Sequence, residues 1–346
     1  MSKKPKVGMW SGLTAVTAVL TAGAIVGTTV AFHYTTTVNN YLDADTYKII
    51  RGDSDEDTEY FKSDFTSDEE RESYEAELCA QVEAEGAALL KNDNNALPLA
   101  SGAKVSLFGH GSVDRMYGGT GSGSVDTSKA PNFKQALEDQ GIQVNSTLWD
   151  LYSSDDMMKN YSRITPAAIS DTLEANTQYA VNEAPWSKLS SAESSFADYG
   201  DAAIVVFSRS GGEGADLPSG ENGTNDSWIK GQEGDGNYLA LSAEEKELLQ
   251  NLKTLKDNGT FKKIIVLINS SNAIEMDFLN PEICGEDYGI DSAMWIGDVG
   301  QTGINGVAQL LAGEVTPSGS LVDCYLYDSM ARPAMIDFYN QAYRNA

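Results

Sequence analysis

Short, unbroken apolar runs alternate along this chain with longer stretches in which apolar residues recur at helical spacing. Ala202 to Phe207 (A-A-I-V-V-F) and Lys263 to Asn269 (K-I-I-V-L-I-N) are the plainest of the short runs. β-Branched runs of this kind, bounded by turn residues, predict strands buried on both faces, as in a parallel sheet. Lys104 to Phe108, Ile142 to Asn145, Asp291 to Ile296 and Ser320 to Tyr327 predict further strands, the last at a sheet edge. Helical patterns fall between them. Thr66 or Ser67 can cap a helix whose first turn carries Asp68, Glu69 and Glu70, acids suited to the positive end of the helix dipole. Tyr74, Leu78, Val82 and then Ala87 to Leu90 predict its buried face. Further helices are predicted over Asn132 to Asp139 and Ser146 to Tyr161, with Ser191 to Tyr199 leading into the strand at Ala202. Ser242 and Glu245 predict a capping box, followed by a buried face of Leu248, Leu249, Leu252 and Leu255. Gly300-Gln301 opens a last helix through Val307, Leu310 and Leu311 that stops at Gly313. Strands alternating with helices predict an α/β fold, a mostly parallel sheet with helices on both faces.

The N-terminus has a different pattern. Trp10 to Phe32 holds no charged residue over 23 positions. As a helix it is about 34 Å long, enough to cross a bilayer. Lys3, Lys4 and Lys6 precede it, and the next basic residue is Lys48. That asymmetry predicts a cytoplasmic tail over 1–9, a single-pass anchor in the cell membrane over 10–32, and an extracellular main domain. A cleaved signal peptide is the rival reading. Residues 33–66 form an acidic spacer that includes R-G-D-S-D-E-D-T-E from Arg51 to Glu59; the short R-G-D triplet is assigned no role in adhesion.

Charge narrows the partners. With 51 acidic against 24 basic residues, the net charge is −27. Such a surface repels nucleic acid. Three cysteines (Cys79, Cys284, Cys324) are too few for a disulfide scaffold, and their odd number leaves at least one free. Only two histidines, His33 and His110, are present, without a C-x-x-C pattern. No metal or cofactor is expected.

Two glycine-rich stretches carry the candidate chemistry. The strand at Ala202 runs into Ser210-Gly211-Gly212-Glu213-Gly214. A glutamate there lies past a strand end, where open α/β sheets bind ligands, and glycines leave its carboxylate uncovered. A solvated surface loop is the plainer alternative. Gly109 to Val125 is a long loop with His110, Asp114, Arg115 and Tyr117. It lacks the G-K-[S/T] ending of a phosphate-binding loop and does not follow a dinucleotide fingerprint.

Five motifs in order carry a resemblance. They are E-G-A-A-L-L-K-N-D-N-N-A-L-P-L (Glu85 to Leu99), G-G-T-G-S-G-S-V (Gly118 to Val125), S-G-G-E-G-A-D (Ser210 to Asp216), I-D-S-A-M-W-I-G-D-V-G-Q-T (Ile290 to Thr302) and P-S-G-S-L (Pro317 to Leu321). From Ser67 to Asp328 the chain resembles the α/β sandwich domain of glycoside hydrolase family 3, the β-glucosidase group. The resemblance implies a six-stranded sandwich in which Glu213 is the general acid/base. It also implies substrate contacts near Arg209, Asp216, Gly118, Gly119 and Ser122, with Asp216 anchoring its loop and not acting as nucleophile. Glu221 and Glu233 are the alternative acids. The family's nucleophile is an aspartate on a separate (β/α)₈ barrel, and a barrel takes about 250 residues that this chain does not hold. The order fits domain-inverted members, with 329–346 as a link toward a barrel in cis or in trans. The expected function is therefore one component of a membrane-anchored enzyme acting on β-linked oligosaccharides or glycosides. The alternatives are a non-catalytic carbohydrate-binding module at the cell surface and an unrelated nucleotide-binding protein.

Overall fold

The computed structural model describes residues 7–42, 61–164, 179–213, 217 and 237–331. It divides into two units, Met1–Asp64 and Phe65–Ala346. The first contains helix α1 (Val7–His33) and the short α2 (Thr35–Tyr41). Large apolar side chains from Trp10 to Phe32 are exposed all round α1. Thr14, Thr17 and Thr29 each donate their hydroxyl to the carbonyl four residues back, so these polar groups are satisfied within the helix. The helix is long and apolar enough to cross a membrane, and a signal sequence near an N-terminus has the same length and composition.

The second unit begins with α3 (Asp68–Gly86), capped by Ser67 Oγ accepting from Glu70 N. It continues with β1 (Ala88–Asn92), β2 (Lys104–Phe108), α4 (Phe133–Asp139), β3 (Gln143–Val144), α5 (Ser146–Tyr152) and α6 (Asp155–Asn160). After β4 (Ala202–Ser208) come α7 (Ala243–Asp257), β5 (Ile264–Asn269), α8 (Pro281–Cys284), β6 (Ser292–Trp295) and α9 (Ile304–Ala312). The strands form one six-stranded sheet in the order β1-β6-β5-β4-β2-β3. Every pairing is parallel except β1, which runs antiparallel along β6 at one edge. The central strands bury both faces because their side chains alternate. Ile204 and Val206 join one core with Phe133, Leu137, Val307 and Leu311. Ala203, Val205 and Phe207 join the other with Leu248, Leu249 and Leu252 of α7. The capping box expected at Ser242 and Glu245 is formed.

Several local expectations give way to tertiary packing. Ala87 to Leu90 does not continue α3; the chain turns extended at Ala87, and Ala88 and Leu89 pair with Trp295 and Met294. This makes β1 the sixth strand. Ser320 to Tyr327 forms no ladder, although Leu321 and Tyr325 pack on the core and Leu326 accepts a backbone bond from Met276. The Ser146–Tyr161 helix breaks in two because Ser154 Oγ caps α6 at Met157 N. The face of α3 is also rotated from expectation. Tyr74, Leu78 and Val82 are 51%, 43% and 63% exposed, whereas Ala80 and Ala84 are buried. The cause lies on α9: a Cβ on Gly306 would collide with Ala80 O and crowd Ala84 N. The two backbones approach so closely that only small residues fit between them.

Gly306→Ala should therefore lower the stability of this unit by at least the roughly 1–3 kcal/mol typical of overpacking. Val82→Ala, on the exposed stripe, should stay within about 0.5 kcal/mol of the parent. Urea unfolding checks both; the reverse ranking would mean that α3 packs through its large side chains.

Candidate active site

The loops leaving the C-terminal ends of the strands are held together by one buried amide. Asn269 ends β5 and is fully buried. Its Oδ1 accepts from Met116 N at 2.6 Å and Ser208 Oγ at 3.0 Å. Its Nδ2 donates to Met116 O at 3.0 Å and Gly297 O at 2.7 Å. The loop after β2, the end of β4 and the loop after β6 thus share one anchor.

On this anchor the two glycine-rich stretches meet face to face. Thr120 N donates to Gly211 O at 3.3 Å, and Thr120 pairs with Gly212 as an isolated parallel bridge. Thr120 Oγ1 donates to Glu213 O at 3.0 Å and shares a hydrogen bond with the buried Tyr179 hydroxyl at 2.7 Å. Ser122 donates to Glu213 Oε2 through its backbone N–H at 2.9 Å and through its hydroxyl. The chain before Glu213 is clamped as well. Tyr238 Oη accepts from Ser210 N at 2.7 Å and donates to Ser210 O at 3.0 Å. Asn272 Nδ2 donates to the same carbonyl at 3.0 Å.

Glu213 is exposed at the tip of this arrangement. The hydroxyl of Ser122, then its backbone N–H, hold the carboxyl below the ordinary glutamate range. A general acid needs the opposite shift, from burial or a second carboxylate. Burial does raise it here, but less than the two Ser122 hydrogen bonds lower it.

The expected site residues divide. Gly118, Gly119 and Ser122 lie in the loop that touches Glu213; a Cβ on Gly119 would come 3.3 Å from Gly211 O. Arg209 is elsewhere in character. It is fully buried, and its Nη1 and Nη2 donate to Glu245 at 2.8 and 2.7 Å. The remaining donors go to the carbonyls of Tyr238, Ser208 and Ala240. All five guanidinium donors are spent, so none is left for a substrate. Burial works against its charge, but Glu245 outweighs that and raises its pKa. Asp216, Glu221 and Glu233 lie outside the described residues.

Sequence reasoning passed over Asn269, Thr120, Tyr179, Tyr238 and Glu183. His110 is buried with Glu183: its N–H and Nδ1 lie 2.7 and 2.9 Å from Glu183 Oε2. Burial lowers its pKa, but the hydrogen bond and charge of Glu183, with Asp114 and Glu245 beyond, reverse that into a net rise. Glu83 of α3 and Asp298 form an acidic pair. Burial, then the charge of Asp298, push Glu83 up to about 8. Burial raises Asp298 too, against the Ser271 hydroxyl that it accepts at 3.0 Å. Among the described residues no group of three or more His, Cys, Asp or Glu side chains is arranged to hold a metal.

Two outcomes follow. Glu245→Ala leaves the Arg209 charge buried and unpaired and should cost roughly 3–5 kcal/mol in urea unfolding; a loss below 1 kcal/mol would mean that Arg209 is not the strut described. Glu83 has a folded pKa above its unfolded one, so it stabilises fully below about 4.5 and loses that contribution as pH rises through about 8. Glu83→Gln should flatten this decline and be the more stable form at pH 9, by on the order of a few kcal/mol. Parallel stability curves from pH 5 to 9 would refute the assignment.

The comparisons agree with this fold. The profile of the glycosyl hydrolase family 3 C-terminal domain matches residues 87–344. A β-glucosidase of Ruminococcus albus is 31% identical over 268 residues, covering 77% of this chain and 24% of the relative. β-Glucosidase A of Butyrivibrio fibrisolvens is 30% identical over 266 residues, covering 72% and 28%. This chain thus spans about a quarter of the length of these relatives. Among solved structures, a β-glucosidase from Paenibacillus barengoltzii superposes with a TM-score of 0.54 at 27% identity, covering 76% of this chain and 25% of that one. The fold is also that of β-glucosidase 3B from Thermotoga neapolitana, solved with α-D-glucose, with a TM-score of 0.57 at 24% identity over 79% of this chain and 34% of that one. A six-stranded, mostly parallel sandwich with a glycine-framed glutamate at its carboxyl edge and a profile match over most of its length places this chain in glycosyl hydrolase family 3.

Proposed function

We propose that this chain supplies the general acid/base, Glu213, of a retaining β-glycosidase acting on β-glucosides or β-linked oligosaccharides. The observation that carries the reading is the exposed Glu213 carboxylate, oriented by Ser122 at the carboxyl edge of a family 3 sheet. Retention needs two carboxyl groups roughly 5 to 5.5 Å apart, one attacking the anomeric carbon and one handling the proton. In this reading the attacking aspartate sits on a (β/α)₈ barrel, in the same polypeptide or another, and closing that barrel over Glu213 supplies the burial and negative charge that raise its pKa. Gly118, Gly119, Ser122 and Asp216 are the proposed substrate contacts. The N-terminal helix serves as a single-pass anchor with its tail in the cytoplasm, presenting the domain outside the cell.

A non-catalytic carbohydrate-binding module is the second reading. What favours it is the lowered pKa of Glu213, which suits an ionised hydrogen-bond acceptor for sugar hydroxyls better than a resting acid.

Leaving-group dependence separates the two. With a barrel fused after Ala346 or added as a second chain, Glu213→Gln should slow glycosides with poor leaving groups by about 10² to 10⁴. Activated aryl glycosides should keep their first step, and azide, which needs no base, should restore turnover and yield a β-glycosyl azide. Full activity of Glu213→Gln would remove the acid/base assignment.

A further inference from the structure

Both hydrogen bonds from Ser122 to Glu213 end on the same oxygen, Oε2. The contact is built into the backbone. Gly121 has a left-handed φ of 72°, and a Cβ there would lie 2.6 Å from Glu213 Cβ and 2.7 Å from Oε2. Gly212, at φ 150°, has no room for a Cβ against Thr120 N. The main chain of Glu213 is fixed separately, by Thr120 Oγ1 and through it by the buried Tyr179. Tyr179 in turn packs against Tyr238, their ring centroids 6.1 Å apart. The backbone and one oxygen of the carboxylate are therefore both tied, each to a different donor.

We infer that Ser122 is a positioning residue for Glu213: it occupies Oε2 and leaves Oε1 as the oxygen that exchanges the proton with substrate. This rests on the reading of Glu213 as acid/base. An oxygen that already accepts two hydrogen bonds is a poor site for a proton, since protonation there displaces a donor. Oε1 takes no bond from Ser122. In the first step the attacking aspartate of the barrel bonds to the anomeric carbon as the bond from that carbon to the glycosidic oxygen breaks; this oxygen keeps the electron pair and takes the proton from Oε1. In the second step Oε1 takes a proton from water as the water oxygen bonds to the anomeric carbon and the aspartate leaves with its electron pair. The Ser122 hydroxyl can stay on Oε2 throughout, so one contact serves both the ionised and the protonated carboxyl. The lowered pKa of Glu213 agrees with this, its largest cause being the Ser122 hydroxyl.

The orienting contact is read directly in the full chain labelled with ¹³C at glutamate carboxyls, the Glu213 signal being the one missing from Glu213→Gln. Ser122→Ala should move the Glu213 titration upward, toward an ordinary glutamate. Ser122→Thr, which keeps the hydroxyl and the N–H, should leave it at the parent value. An unmoved titration in Ser122→Ala, or an equal rise in Ser122→Thr, overturns the inference. With a barrel supplied, Ser122→Ala should lower kcat about tenfold or more on poor leaving groups, the worth of one charge-assisted hydrogen bond. The first step on activated aryl glycosides should slow much less, and Ser122→Thr should restore the rate. Equal losses on both substrate types would show a merely structural role. The titration needs no turnover, so it tests the contact separately from the acid/base reading, which Glu213→Gln tests.

Discussion

The four hydrogen bonds of the Asn269 side chain are the constraint on which the carboxyl edge of this sheet depends. A parallel sheet leaves its strand ends as separate loops, and loops have no fixed relation to one another unless something ties them. Asn269 ties three. Through Met116 it fixes where the glycine-rich loop departs, through Ser208 where the loop carrying Glu213 departs, and through Gly297 the turn that carries Asp298. Removing the amide would strand buried donors and acceptors on each partner, which costs more than the bonds themselves contribute.

From that anchor outward the site is made by close approach. Glycines at 119, 121 and 212 let two loops run within hydrogen-bonding distance, so Thr120 and Ser122 can reach both the backbone and the carboxylate of Glu213. Behind them Arg209 and Glu245 lock the end of β4 to the first turn of α7, where Glu245 also completes the capping box. A helix cap, a buried ion pair and the start of the loop carrying Glu213 are thus one connected unit.

Much of this was legible in the sequence because it is local. Unbroken runs such as 263–269 marked the buried strands, the Ser242/Glu245 spacing marked the capping box, and the glycines around Glu213 marked the exposed acid. What was not legible depends on distant partners. The pattern of Tyr74, Leu78 and Val82 looked like a buried face, and only Gly306, more than two hundred residues on, reverses it. Leu89 and Leu90 fit a helix until β6 offers an edge. Arg209 beside a candidate acid suggested a substrate contact, and its spending on Glu245 and three carbonyls is visible only in three dimensions. Asn269 gave no signal beyond ending a strand.

The proposed reading makes Glu213 a proton-handling carboxylate whose attacking partner comes from a barrel domain. The most direct measurement of that claim is hydrolysis of a chromogenic aryl β-glucoside by this polypeptide, residues 1–346, with and without a family 3 barrel domain added. The account predicts background rates for the chain alone and turnover only when the barrel is present. Robust hydrolysis by the chain alone, abolished by Asp216→Asn, would contradict it, because a nucleophile would then lie within this sequence.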